Sequence, residues 1–189
     1  MFVSEVLHLV VCTLHIRVRN ETTHSLNSYH RYDVVIEDCE IGDLKGSSPW
    51  AIKYKSHQNA PGPLRNHTWR RLRVGNISSN SYQQPNAGYF MSIELRYHPL
   101  IPNRTCETWN CPTFHDITFE DISVFSAQRA GDINGFLGDP LHGLTFRNVT
   151  FQNLPEHGWT CGYVDLDSFT QVDVSPPLKC RRGGDVPLV

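Results

Sequence analysis

Phe119-Glu120-Asp121-Ile122-Ser123-Val124 and Phe146-Arg147-Asn148-Val149-Thr150-Phe151 share one pattern: apolar at the first, fourth and sixth positions, polar at the others. Ile36-Glu37-Asp38-Cys39-Glu40-Ile41 and Trp69-Arg70-Arg71-Leu72-Arg73-Val74 follow it too. An amphipathic helix would repeat at three, four and seven, and an unbroken strand at two, so the pattern fits neither. It fits two short strands joined by one corner residue. Alternation holds before the corner (Val34 with Ile36, Ile117 with Phe119, Leu144 with Phe146) and resumes after it, offset by one residue. The corner is Asp38, Arg71, Asp121 or Asn148. Asp and Asn tolerate the left-handed backbone such a bend needs, whereas Arg71 suits it poorly.

Each hexad is followed by a loop and a second apolar strand, expected at 50–54, 89–97, 133–137 and 159–166. One turn of the repeat then takes roughly 27 to 50 residues, at or above the usual repeat range. Short strands recurring in the same order stack in parallel and bury one face along a common axis. The expected fold class is therefore all-β, a parallel β-helix of about four coils that is incomplete at its N-terminal end. A β-sandwich would join its neighbours by tight hairpins, and the only Asn-Gly pair, Asn134-Gly135, falls inside an apolar stretch. Three segments are expected: an atypical cap at 1–31, the coils with a disulfide-closed tail at 32–180, and an extension at 181–189.

Composition narrows the function classes. A chain of 189 residues with 39% hydrophobic content can bury a real core as one domain. Its net charge of -2, with 19% charged residues, provides no polybasic surface for nucleic acid. The apolar run over 6–14 is too short to span a bilayer and contains His8, so no membrane span is expected. Five Asn-X-Ser/Thr sequons, at Asn20, Asn66, Asn76, Asn103 and Asn148, are candidate glycosylation sites and favour a secreted, extracellular protein. Six cysteines agree. Spacing along the chain pairs Cys106 with Cys111 and Cys161 with Cys180, leaving Cys12 and Cys39 reduced, with Cys39 at an inward position. Cys106-x4-Cys111 also resembles half a zinc site, but no second ligand pair accompanies it. No cofactor is expected, and most of the ten histidines read as solvated loop residues.

From about Tyr32 to Cys180 the sequence resembles the polygalacturonase family of glycoside hydrolases. The matches are Tyr32-Asp33-Val34-Val35-Ile36-Glu37-Asp38-Cys39, Ala51-Ile52-Lys53, Ile93-Glu94-Leu95-Arg96-Tyr97, the run from Gly135 to Asn153, and Trp159-Thr160-Cys161 with Pro176, Pro177 and Cys180. The resemblance implies a right-handed helix, acidic polysaccharide of the pectic kind as partner, and Lys53 and Tyr97 as substrate contacts. It also exposes a gap. The family's Asn-Thr-Asp, Asp-Asp and Gly-His-Gly motifs, which precede its Arg-Ile-Lys, are not found in residues 1 to 50, and Ala51 stands where that arginine would bind a sugar carboxylate. The chain is therefore expected to be a truncated or catalytically impaired relative. The alternative is a non-catalytic saccharide-binding or adhesive β-helix.

Inverting hydrolysis needs an acid and a base roughly 6.5–9.5 Å apart. Asp165-Leu166-Asp167 is the nearest local match if it lies on a strand, where residues two apart share a face. Its place between Cys161 and Cys180 argues instead for a closing loop whose polar residues face water. Glu37-Asp38 and Glu120-Asp121 read as outward and corner residues. Lys53 is expected to point outward, with Glu94 stacked on it if Ile93 takes the place of Ile52 in the next coil.

Overall fold

The computed structural model of the chain describes residues 10–19, 31–42, 50–55, 62–75, 77, 88–95, 112–136, 140–153 and 158–179. They form ten strands: β1 (Val10–Arg19), β2 (Arg31–Gly42), β3 (Trp50–Lys55), β4 (Gly62–Gly75), β5 (Tyr89–Glu94), β6 (Pro112–Val124), β7 (Arg129–Asn134), β8 (Leu144–Phe151), β9 (Trp159–Gly162) and β10 (Thr170–Ser175). The fold is all-β, with a single 3-10 turn over Leu166–Ser168 among the described residues. From β2 onward, consecutive strands alternate between two sheets, ordered β1-β2-β4-β6-β8-β10 and β3-β5-β7-β9. Every pairing is parallel except β1 with β2, so β1 covers the outer edge of β2 as an antiparallel strand.

In the six-stranded sheet, β2, β4, β6 and β8 each bend at the corner residue of the hexad. Asp38, Arg71, Asp121 and Asn148 have φ of 55°, 54°, 53° and 49°. A left-handed residue lets the chain turn while the apolar residues on either side both face inward. Arg71 departs from the propensity expectation, and its neighbours supply the reason. Its guanidinium donates to both Asp38 oxygens at 2.7 and 2.9 Å and to Glu37 at 2.6 Å, which ties the corner to the strand before it. Asn148 Nδ2 likewise donates to Asp121 Oδ1 at 2.9 Å.

Inside the bends, apolar residues stack in rows. Cys39, Leu72, Ile122 and Val149 form one row, with Leu72 paired to both Cys39 and Ile122, and Ile122 to Val149; all four are buried. Trp69, Phe119 and Phe146 form the next, and the Phe119 and Phe146 rings stack at 5.1 Å. The four-stranded sheet faces this core with Ile52, Met91, Gly131 and Trp159 in register. Gly131 is required there: a Cβ on it would lie 2.3 Å from the Trp159 ring, which packs edge-on against Phe146. Outside the bends, Glu37, Arg70, Glu120 and Arg147 alternate in charge from strand to strand. Glu37 is buried beneath Arg70 and Arg71 rather than openly outward, and Arg70 first, then Arg71, holds its carboxyl below the usual range.

Several expectations change. The strand expected at 133–137 begins at Arg129, and a further strand, β10, carries another corner at Asp173 with φ 53°. Cys39 is buried as expected but is disulfide-bonded, not a reduced thiol. The strand register puts Cys12 of β1 opposite the Asp38–Cys39 step, at an irregularity between Val11 and Thr13. Cys161 is also in a disulfide, while Cys106, Cys111 and Cys180 lie outside the described residues. Among the described residues no helix is long and apolar enough to cross a membrane.

His67 is not a solvated loop residue. His67 pairs in register with Val34 and Ile117, and Tyr54 is buried beside it. The Tyr54 hydroxyl accepts from Trp69 Nε1 at 2.6 Å and lies 3.3 Å from His67 Nδ1, to which it can donate only while that nitrogen is unprotonated. Burial pushes His67 down to about 4 and the Tyr54 phenol well up. The unfolded chain takes up a proton near 6.5 that the folded chain refuses until about 4, so stability is complete above 6.5 and declines as pH falls through that window. Urea unfolding at pH 7 and pH 5 should show a loss of about 2 kcal/mol from this group, and His67→Gln should remove that part of the pH dependence. An unchanged pH slope in the variant would place the acid sensitivity elsewhere.

Candidate functional site

The outer face of the four-stranded sheet gathers charged and aromatic side chains the core has no use for. Ile52 and Tyr54 are buried, so alternation turns Lys53 and Lys55 outward. Lys53 Nζ lies 3.5 Å from the centroid of the Trp50 ring and 3.3 Å from Glu94 Oε2. Lys55 lies 5.7 Å from the same ring. The expected Lys53–Glu94 contact exists, but its register does not. Met91, not Ile93, pairs with Ile52, so Glu94 stands opposite Lys55 and meets Lys53 on the diagonal.

Lys53 therefore lies in a row with Ser92 of β5, Asp132 of β7 and Thr160 of β9. Asp132 Oδ1 accepts from Asn134 Nδ2 at 2.8 Å and from Thr160 Oγ1 at 2.9 Å. Burial raises the Asp132 carboxyl above its ordinary range, and the two hydrogen bonds oppose that rise. Burial also lowers the Lys53 ammonium, with Glu94 opposing. Among the described residues, two cations and two carboxylates thus share one sheet face. At the start of the same strands Trp50, Tyr89 and Arg129 are in register, and Arg129 Nη1 donates to the Tyr89 hydroxyl at 3.2 Å. Asp132, Asn134 and Thr160 escaped the sequence reading because no motif contains them; their signal was polar residues at outward positions of successive strands.

The other expected site residues do not join this face. Asp165 and Asp167 are not two apart on a strand: Asp165 caps the turn over Leu166–Ser168, its Oδ1 accepting from the Asp167 backbone N–H at 3.2 Å. β5 ends at Glu94, the chain turns at Leu95, and Tyr97 lies outside the described residues. Of the sequons, Asn20, Asn76 and Asn103 lie outside them too. Asn66 is left-handed with φ 58°, its Nδ2 donating to Asp33 at 3.1 Å, and Asn148 is the corner residue described above. Among the described residues no group of three or more His, Cys, Asp or Glu could hold a metal ion. His115 and His142 stack at 5.7 Å, and His115 Nδ1 meets Asp116 at 2.7 Å.

Comparison with protein-family models, with curated proteins and with solved structures gives no match. The chemistry of this face is therefore argued from its residues. Glu94 is the half-exposed member of the pair and Gln keeps an acceptor for Lys53, so Glu94→Gln should cost about 1 kcal/mol or less in urea unfolding. A loss above roughly 2 kcal/mol would make the pair a structural clasp instead of a binding feature.

Proposed function

We propose that the two sheets are the faces of a right-handed parallel β-helix, and that the chain is a secreted polygalacturonase-like protein that holds acidic polysaccharide without hydrolysing it. The observation that carries this reading is Lys53, anchored over the Trp50 ring and beside Glu94 on an outward sheet face. Strands that alternate between two sheets and stack in chain order support the helix. Disulfides at Cys39 and Cys161, together with five sequons, support secretion.

An extended polymer laid across parallel strands meets one strand every 4.8 Å or so, and so meets Lys53, Ser92, Asp132 and Thr160 in turn. Lys53 supplies a point charge for a sugar carboxylate, while Asp132 and Thr160 supply hydrogen-bonding groups for hydroxyls. Ala51 leaves out the planar guanidinium that would fix the carboxylate in two places, so the expected affinity is modest. Hydrolysis needs a positioned acid and base that together contribute a large share of about 8 kcal/mol or more of transition-state stabilisation. Asp165 accepts from the backbone N–H of Asp167 in a turn instead of sharing a strand face with it, which supports the reading without hydrolysis.

Purified protein should co-sediment with insoluble polygalacturonate and release no reducing ends above the blank. Lys53→Met should weaken binding about tenfold, the effect of losing one charge-assisted contact of roughly 1.5 kcal/mol. Sustained turnover, or binding unaffected by Lys53→Met, would overturn the reading.

A further inference from the structure

Asp132 has more to do on this face than accept two hydrogen bonds. It lies in the same outward row as Lys53, two strands away, with Ser92 between them. Ser92 is 3% exposed although it faces outward, so longer side chains cover it. Lys53 does cross from β3 toward β5, since its ammonium reaches Glu94. Among the described residues, the charged groups facing this row are Lys53 and Lys55 from β3, Glu94 from β5 and Asp132 itself on β7; β9 contributes the uncharged Thr160, and Arg129 is engaged with Tyr89. Lys53 and Asp132 interact electrostatically, as do Asp132 and Glu94.

We propose that Asp132 sets the pH range over which Lys53 accepts a saccharide carboxylate. This rests on the saccharide reading above and names its regulation. Ionised, Asp132 places a second negative charge beside Glu94, competes for the Lys53 ammonium and repels a polyuronate. Neutral, it no longer competes for the Lys53 ammonium and changes from acceptor to hydroxyl donor toward the sugar. Burial moves this change upward from the ordinary carboxylate range, toward pH values at which a uronate is still charged. Thr160 and Asn134 hold the carboxyl against further rise, so they tune the same range. Acidic saccharide is therefore captured more tightly as pH falls, and a neutral saccharide is not.

The test is fluorescence anisotropy of a labelled oligogalacturonate between pH 4.0 and 7.5, with circular dichroism confirming the fold at each point. The natural chain should bind roughly three- to tenfold more tightly at the acid end of that range than at pH 7.5, the effect of removing one negative charge two strand spacings, about 10 Å, away. Asp132→Asn should bind at pH 7.5 about as tightly as the natural chain does at the acid end of the range, with the slope gone. Thr160→Val, which removes a hydrogen bond that favours the ionised carboxyl, should move the rise to higher pH and serves where Asp132→Asn fails to fold. Equal slopes in the natural chain and the variants would overturn the role of Asp132 alone. Failure of the natural chain and the variants to bind at any pH would overturn the saccharide reading beneath it.

Discussion

The register that sets Leu72 on Ile122 and Ile122 on Val149 is the constraint from which the rest of this molecule follows. Each side chain is buried by the strand above and the strand below, and full burial of a residue of this size contributes about 1.5–3 kcal/mol. The left-handed residue beside each of them makes this possible, because it lets one strand face inward on both sides of a bend. The corners must then coincide from strand to strand. Asp38 with Arg71, and Asp121 with Asn148, confirm the coincidence with hydrogen bonds that a slipped register would break. The alternating row of Glu37, Arg70, Glu120 and Arg147 is exposed or half-exposed for the most part, and selects this register without supplying much of the stability.

How much of this was legible in the sequence depended on whether a position advertised its chemistry. Asp38, Asp121 and Asn148 could be read as corners because Asp and Asn accept the left-handed backbone. Arg71 could not, since its stabilisation comes from carboxylates on the preceding strand. Asp173 was hidden because its row begins with Gln171, whose amide instead clamps Leu178 in the tail through both its oxygen and its nitrogen. The start of β7 was hidden for a related reason: Ala130 and Gly131 are buried but too small to mark a hydrophobic strand. Cys39 shows another limit, because a thiol and a half-cystine suit the same small buried position.

The site was half legible. Alternation alone turned Lys53 outward, but alternation is blind to a slip of two residues, and that slip separates the expected Ile52–Ile93 pairing from the observed Ile52–Met91. The short strands of the four-stranded sheet carry no left-handed corner within them to fix their register from sequence. Asp132 and Thr160 could be found only once the register was known, since they become neighbours through pairing and not through proximity along the chain. The same core that fixes the register thus decides which polar groups share the outer face, and with them the charge that a ligand meets.

Methyl–methyl nuclear Overhauser effects in the selectively labelled chain test the stacking most directly. The account predicts cross-peaks from Leu72 to Ile122 and from Ile122 to Val149, with none from Leu72 to Val149, which lie two strands apart. Ile122 cross-peaks displaced to residues elsewhere along β4 or β8, or the absence of contacts between these strands, would contradict it.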